Sequence, residues 1–251
     1  MSDIIGKSVF LVIGASSDIG RTFILNLDKQ HKGCIVIAQY NSSKVLLDNL
    51  REELVAIELI SIKCDLSQPD EVLELISYVK EKYVAPTHIL HLAAGKFEYM
   101  RMRNFDWNAV TRELEIEVHS FAEVAKAFLP QMVKNKFGKV VVMLTAYTLG
   151  VPPKFMSNYI IAKYALLGLT KSLASEYSGK GININGISPN MVETKFLSNL
   201  DEHSIELNAM NSAMRRNMRV EEVVAGINFL LSDEASYVNG LNLNMTGGDV
   251  M

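Results

Sequence analysis

Tyr159 and Lys163, in the segment Tyr-Ile-Ile-Ala-Lys, stand four residues apart. On a helix, positions i and i+4 share one face. An ammonium beside a phenol favours phenolate and draws its pKa down from about 10. Such an acid suits proton donation to a carbonyl oxygen as hydride arrives from a nucleotide cofactor. The spacing alone carries little weight. It gains weight from a glycine-rich turn far upstream, Gly14-Ala15-Ser16-Ser17-Asp18-Ile19-Gly20. A turn of this kind between strand and helix brings backbone N–H groups and a helix N-terminus up to a pyrophosphate. Here it follows an apolar run and opens an amphipathic one, which is the context the motif requires.

The elements that must position these residues are legible as short apolar runs alternating with longer amphipathic ones. Strands are expected at 8–13, 34–40, 58–64, 88–92, 139–145, 182–188 and 242–245. Several are continuous Val/Ile/Leu stretches, the pattern of strands covered on both faces. Helices are expected at 19–27, 44–53, 68–82, 111–134, 157–178 and 219–231, with Pro69 where a first turn tolerates proline. The alternation predicts an α/β fold: one doubly wound, parallel, seven-stranded sheet of Rossmann type with helices on both faces. No linker or repeat interrupts it, so residues 1–251 are expected to form a single domain.

Composition bounds the function. At 49% hydrophobic and 21% charged, the chain can bury a substantial core. A net charge of −3 makes no case for nucleic acid. The histidines are scattered without ligand spacing, so no metal site is expected. Cys34 and Cys64 fall at opposite ends of successive strands, roughly 20 Å apart at about 3.3 Å per residue, too far to bridge. Two buried thiols in a reducing cytosol are expected. The start of the chain lacks a basic segment followed by a long apolar one, and no apolar run approaches about 20 residues. A cytoplasmic protein without membrane contact is expected. In the helix at 157–178, Ile160, Ile161, Ala162, Tyr164, Ala165, Leu166, Leu167, Leu169 and Leu173 spread apolar groups around most of the circumference. The sheet covers one side only, so a homo-oligomer, dimer or homotetramer, is expected to cover the rest.

Further landmarks follow in order: Asp65-Leu66 after strand three, Ala93-Ala94-Gly95 after strand four, Tyr159 and Lys163, Ser188-Pro189 with Thr194 after strand six, and Gly247-Gly248 near the end. In these the chain resembles the short-chain dehydrogenase/reductases over essentially its whole length, and among them the 3-oxoacyl-acyl-carrier-protein reductases. The resemblance implies an NAD(P)(H)-dependent oxidoreductase that interconverts a ketone and a secondary alcohol, with 3-oxoacyl compounds among the candidate substrates. It places Gly14, Ser16, Ser17, Asp18, Ile19 and Gly20 at the pyrophosphate and Tyr40, Asn41 and Ser42 at the adenosine ribose. Asp65 would bond the adenine amine, with Leu66 against the ring, unless it is only a turn residue. Ala93, Ala94 and Gly95 would line the cleft. Ile187 and Thr194 would hold the nicotinamide carboxamide, with Pro189 beside them. Tyr159 would be the acid/base, and Lys163 its activator and a ribose ligand. NAD enzymes carry an acid about 20 positions past the glycines. Here Tyr40-Asn41-Ser42-Ser43-Lys44 offers none. Lys44, with Arg21 as a second cation, suits a 2′-phosphate, so NADP is expected ahead of NAD.

The chain also departs from the pattern. Ile13 replaces the usual threonine and Asp18 the usual glycine; Asp18 is expected to cap its helix rather than face the phosphates. The family serine lies thirteen residues before the tyrosine, and that count lands on Ala146. The family asparagine on the helix after strand four counts to Glu117. Losing one donor to a developing oxyanion costs about 3–4 kcal/mol. Thr148 is the candidate substitute, with Tyr147 a further possibility; Thr145, one residue early in a strand, is expected to face away. Glu117 either pairs with Lys163, diluting its effect on Tyr159 or relaying protons, or faces water. The substrate wall is expected from 96–100 and from a mobile lid at 195–218 carrying Phe196, Leu197, Leu200, Met210, Met214 and Met218. Arg215 and Arg216 would meet an anionic substrate or water. Ala146 and Glu117 also leave open a nucleotide-binding member with weakened or lost catalysis. Enoyl reduction is disfavoured, because such members place their lysine further from the tyrosine.

Overall fold

The computed structural model describes residues 8–30, 33–83, 85–95 and 99–249. Seven parallel strands form one sheet: β1 Val9–Ile13, β2 Ile35–Tyr40, β3 Glu58–Lys63, β4 His88–His91, β5 Gly138–Met143, β6 Ile182–Pro189 and β7 Asn242–Met245. Their order is β3-β2-β1-β4-β5-β6-β7. Helices α1 Asp18–Gln30, α2 Lys44–Glu53, α3 Pro69–Lys82, α4 Trp107–Leu114, α5 Ser120–Asn135, α6 Ser157–Glu176, α7 Glu202–Asn211 and α8 Val220–Leu231 connect them. Every expected strand is present, with ends shifted by a residue or two.

The continuous apolar runs have the cause the sequence suggests. Val9, Leu11 and Ile13 of β1 point into one layer, with Val72 of α3, Phe121 and Phe128 of α5 and Leu166 of α6. Phe10 and Val12 point into the other, with Phe23 of α1, Leu47 of α2 and Val223 of α8. Side chains alternate along a strand, so a strand buried on both faces has no polar phase. Cys34 and Cys64 are buried and free, and burial pushes their thiols up to about 11 and 12.

β1 pairs with both β2 and β4, so the winding direction reverses there. A crevice opens beyond the carboxyl ends of the strands at such a reversal. The helix expected at 111–134 starts earlier, at Trp107, where the Asp106 side chain accepts the Asn108 N–H at 2.9 Å. It is also interrupted: a π turn, Glu115–His119, separates α4 from α5. Among the described residues no helix is long and apolar enough to cross a membrane.

Candidate functional site

A cleft of about 1110 Å³ lies at the carboxyl edge of the sheet, against the glycine turn, the ends of β2 to β6, α4, α6 and residues 189–200. The turn is closed by two glycines. Gly14 sits at φ +78°, and a Cβ there would press on the Leu92 backbone at 3.2 Å. A Cβ on Gly20 would meet the Ala15 carbonyl oxygen at 2.7 Å, so only glycine lets α1 start so close to the turn. Gln39 ties the turn to the sheet, accepting the Gly14 N–H at 2.8 Å and donating to the Cys64 carbonyl at 2.7 Å. Ser17 caps α1: its hydroxyl oxygen accepts the Gly20 N–H at 3.1 Å.

Asp18 therefore is not the cap. It is the first residue of α1, and its carboxylate meets Arg21 at 2.6 Å and the backbone N–H of Lys195 at 2.7 Å. Arg21 is thereby occupied by Asp18. Gly14, Ser16, Ser17, Asp18, Ile19, Tyr40, Asn41, Asp65, Leu66, Ala93, Ala94, Gly95, Pro189 and Thr194 all line the cleft. Gly20 and Ser42 are outside its wall, where Ser43 stands instead. Asp65 accepts the Ser67 N–H and hydroxyl, which hold its carboxyl below the usual carboxylate range. Ile187 is misplaced by the sequence reading: it is fully buried under α8 among Val223, Val224 and Ile227. Val192, which pairs with Met218, reaches the cleft instead. The loop after β6 turns back over the strand end, and no local sequence signal marks which residue it presents.

Tyr159 and Lys163 share one face of α6 at the centre of the cleft. The Lys163 ammonium lies 5.5 Å from the Tyr159 ring centroid, donates to the Met143 carbonyl at 2.9 Å and sits 3.0 Å from the Glu117 carboxylate. Lys163 is 1% exposed and Glu117 0%. The π turn accounts for this. Its extra residue widens the helix, and both Glu113 and Glu117 end up buried. Of the two sequence alternatives for Glu117, the side chain takes the lysine, not water. Glu113 was not anticipated; its carboxylate accepts the Gly95 N–H at 3.1 Å and lines the cleft. His91, wholly buried, meets the Glu117 main-chain carbonyl through Nε2 at 3.0 Å.

The electrostatics differ from the simple phenol–ammonium picture. Burial raises the Tyr159 pKa; Lys163 pulls it down, and Glu117 and Glu113 push it up again, leaving it above its ordinary value. Burial works against the Lys163 ammonium, but Glu117 and Tyr159 outweigh it and hold that pKa up. Burial drives Glu117 up to about 7 despite the lysine, and His91 down to about 3.

The hydroxyl residue on the cleft wall beside Tyr159 is Thr145, whose side chain draws the phenol's pKa down. Thr148 is elsewhere: its hydroxyl donates to the Thr145 carbonyl at 2.8 Å, accepts from Asn242 at 3.2 Å and lies 3.3 Å from Ser188 Oγ. It does not reach the cleft wall. The correction has a geometric source. β5 ends at Met143, and the chain runs into a 3₁₀ turn, Ala146–Thr148, so strand alternation no longer applies at Thr145. Thr145 is fourteen residues before Tyr159, and it shares the cleft wall with Ala146, the thirteenth.

The lid begins with a 3₁₀ turn, Lys195–Asn199, and continues through α7, whose cap is Asp201. Phe196 brings its ring to 6.4 Å from that of Tyr159. Met191, Leu197 and Leu200 add apolar wall from this side, and Tyr99, Tyr147, Pro153 and Met156 from the other. Residues 96–98 of the expected wall lie outside the described residues. Arg216 pairs with Glu222 at 2.6 Å and Arg215 donates to the Met210 carbonyl, so neither is aimed at the cleft.

A family profile described as enoyl-(acyl carrier protein) reductase matches residues 14–249. The 3-oxoacyl-acyl-carrier-protein reductase of Thermotoga maritima is 29% identical over 247 residues, covering 97% of this chain and 98% of its own. The protein of that name from Buchnera aphidicola is 26% identical over 259 residues, covering 98% of each. The crystal structure of levodione reductase superposes with a TM-score of 0.86 at 22% identity, covering 96% of each chain, which is a likeness of fold.

Proposed function

Because this chain belongs to the short-chain dehydrogenase/reductase family, and so is an oxidoreductase acting between CH–OH and C=O, we propose that it is an NADP-dependent ketone reductase, with 3-oxoacyl compounds the first substrates to try. The nicotinamide supplies or receives hydride; the residues named here do the rest. Tyr159 gives its phenol proton to the carbonyl oxygen, Thr145 steadies that oxygen, and Lys163 holds the phenol and a ribose hydroxyl. Gly14, Ser16, Ser17 and Ile19 take the pyrophosphate on the N-terminus of α1. Asp65 and Leu66 take the adenine, and Pro189, Val192 and Thr194 the nicotinamide.

The observation that carries this reading is the meeting of Tyr159, Lys163 and Thr145 on the wall of one cleft with the glycine turn. Thr145 supplies the hydroxyl that Ala146 lacks, so the acid and its partner line one space. Reduction of a 3-oxoacyl compound follows the printed names of the relatives. The enoyl label on the family profile fits less well, since enoyl reductases separate tyrosine and lysine by more than four residues. NADP is preferred because Tyr40 and Asn41 at the end of β2 bring no carboxylate, and Lys44, next in the chain to Ser43 of the cleft wall, is 62% exposed with only a 3.8 Å contact to Asp48. A homo-oligomer, dimer or tetramer, is proposed from α6, whose Tyr164 is 46% exposed beside half-buried Ile160, Ile161 and Leu167.

A second reading, nucleotide binding with weakened catalysis, draws on Glu117 beside Lys163. One experiment separates them. NADPH and NADH are titrated by fluorescence, and ketones are screened with wild type and Tyr159→Phe. The proposal expects NADPH binding by both and turnover at least about 100-fold lower in the variant. Binding without turnover by wild type selects the second reading, and no binding of either nucleotide removes both.

A further inference from the structure

Lys163 has two buried protein acceptors, the Glu117 carboxylate and the Met143 carbonyl, on the sides not turned to Tyr159. In the pattern this chain otherwise follows, the place of Glu117 holds a neutral amide. Among the described residues, four titratable side chains act on Glu117 or touch it. From α6 come Lys163 and Tyr159, from α4 Glu113, and from β4 His91. His91 is uncharged at working pH, because burial depresses it to about 3, and it donates Nε2–H to the Glu117 main chain. It therefore neutralises nothing. Lys163 is the one cation among these groups, set against two carboxylates. Neither Glu117 oxygen has a well-directed hydrogen bond, so the contact with Lys163 is one of charge more than of hydrogen-bond geometry.

We propose that Glu117 is a positioning residue for the Tyr159–Lys163 couple: its buried carboxylate shares the ammonium and keeps the phenol proton on Tyr159, so the site serves as an acid toward ketones rather than as a base toward alcohols. This rests on the reading of Tyr159 as the acid. The physical case is charge sharing without water. A cation at about 4–6 Å lowers a neighbouring acid's pKa by roughly 1–3 units, and a carboxylate on the same cation cancels part of that. The elevated pKa of Glu117 says the carboxylate is itself strained by burial, so its charge is only partly present near neutrality and grows as pH rises. Rising pH thus completes the carboxylate's charge before the phenol, held above its ordinary value, begins to lose its proton.

The test is the ionisation of one phenol. Spectrophotometric pH titration of cofactor-free protein, as the difference between each chain and its Tyr159→Phe version, isolates Tyr159 among nine tyrosines. In Glu117→Gln the midpoint is expected to fall by about one pH unit or more. The pH profile of kcat/KM for alcohol oxidation should move down with it, while Glu117→Asp, which keeps the charge, stays near wild type. A purely structural role lowers Tm or kcat and leaves the midpoint in place. Should the glutamine chain not fold, Glu117→Asn carries the same titration. An unmoved or raised midpoint overturns the inference, even in a chain that reduces ketones. A lowered midpoint in a chain that turns over nothing sustains the effect on the phenol and removes the proposed reaction instead.

Discussion

Asp18 and Lys195 are 177 positions apart, yet the carboxylate of one accepts the backbone N–H of the other at 2.7 Å. The glycine turn at the cofactor end and the first residue of the lid are thus joined directly. Arg21 offsets the charge of Asp18 on the other oxygen. At the far end of the lid a second carboxylate does the same: Asp249 accepts the Ala213 N–H at 2.6 Å and a hydrogen bond from Asn190. A residue that looks misplaced beside a pyrophosphate is, in this arrangement, a fastening for the substrate wall.

If that fastening holds the lid, Asp18→Gly should free it. One hydrogen bond is worth about 1 kcal/mol, or about fivefold in the open population. Trypsin should then cut after the exposed Lys195 several-fold faster, with global Tm changed by only a few degrees. Cleavage at the wild-type rate would mean that the lid is held by other contacts.

Two threonines near Tyr159 have opposite expectations. Thr145→Val removes the hydroxyl on the cleft wall beside the phenol, and kcat/KM for a ketone should fall by about 10²–10³. Thr148→Val removes a buried hydroxyl that joins the Thr145 carbonyl to Asn242. It should lower stability by about 1–3 kcal/mol and spare kcat/KM by comparison. Steady-state kinetics and thermal melts on both variants decide the matter, and the reverse pattern would restore Thr148 as the working hydroxyl.

These residues also mark how far the sequence could be followed. The seven strands were legible because burial on both faces leaves an unbroken apolar run. Tyr159 and Lys163 were legible because helical spacing fixes their common face. Thr145 was not, because β5 ends at Met143 and a turn replaces the alternation that was expected to point it away. Val192 was taken for Ile187 because the segment after β6 doubles back, and chain order does not record that. Glu117 could be counted to but not oriented: its burial depends on a π turn, for which neighbouring residues carry no propensity signal. Asp18 reads as a cap by residue type, but Ser17 takes that role and a tertiary contact with Lys195 engages Asp18 instead.

Cofactor choice rests on the end of β2. Asn41 lines the cleft where NAD enzymes carry an acid. Asn41→Asp places a carboxylate against a 2′-phosphate and beside the ribose hydroxyls. The ratio of NADPH to NADH affinity should fall at least about tenfold, read by fluorescence titration of both nucleotides. A ratio that does not change, or that favours NADH already in wild type, removes the NADP assignment without touching the fold.

The pH dependence of stability offers a check that needs no substrate. Glu117 is raised from 4.5 to about 7 in the folded chain, so the fold binds its proton more tightly than the unfolded chain does. The stability this gives is fully present below about pH 4.5 and is lost as pH rises through about 7. His91 runs the other way. Depressed from 6.5 to about 3, it contributes stability that is present above 6.5 and lost as pH falls toward 3. In wild type the two oppose each other across their shared range, which flattens the curve. Glu117→Gln removes one of them. The stability of wild type relative to the variant is expected to be highest at low pH, where the buried carboxyl keeps its proton. That relative stability should decline steadily between about pH 4.5 and 7, by on the order of 3 kcal/mol at most. If Lys163 also sheds its proton in the variant, the trend keeps the same sign, because a depressed lysine favours the fold at higher pH. Chemical denaturation at a series of pH values measures the difference, and one that stays constant or rises with pH would mean that Glu117 is already ionised at pH 4.5 and that burial does not govern it.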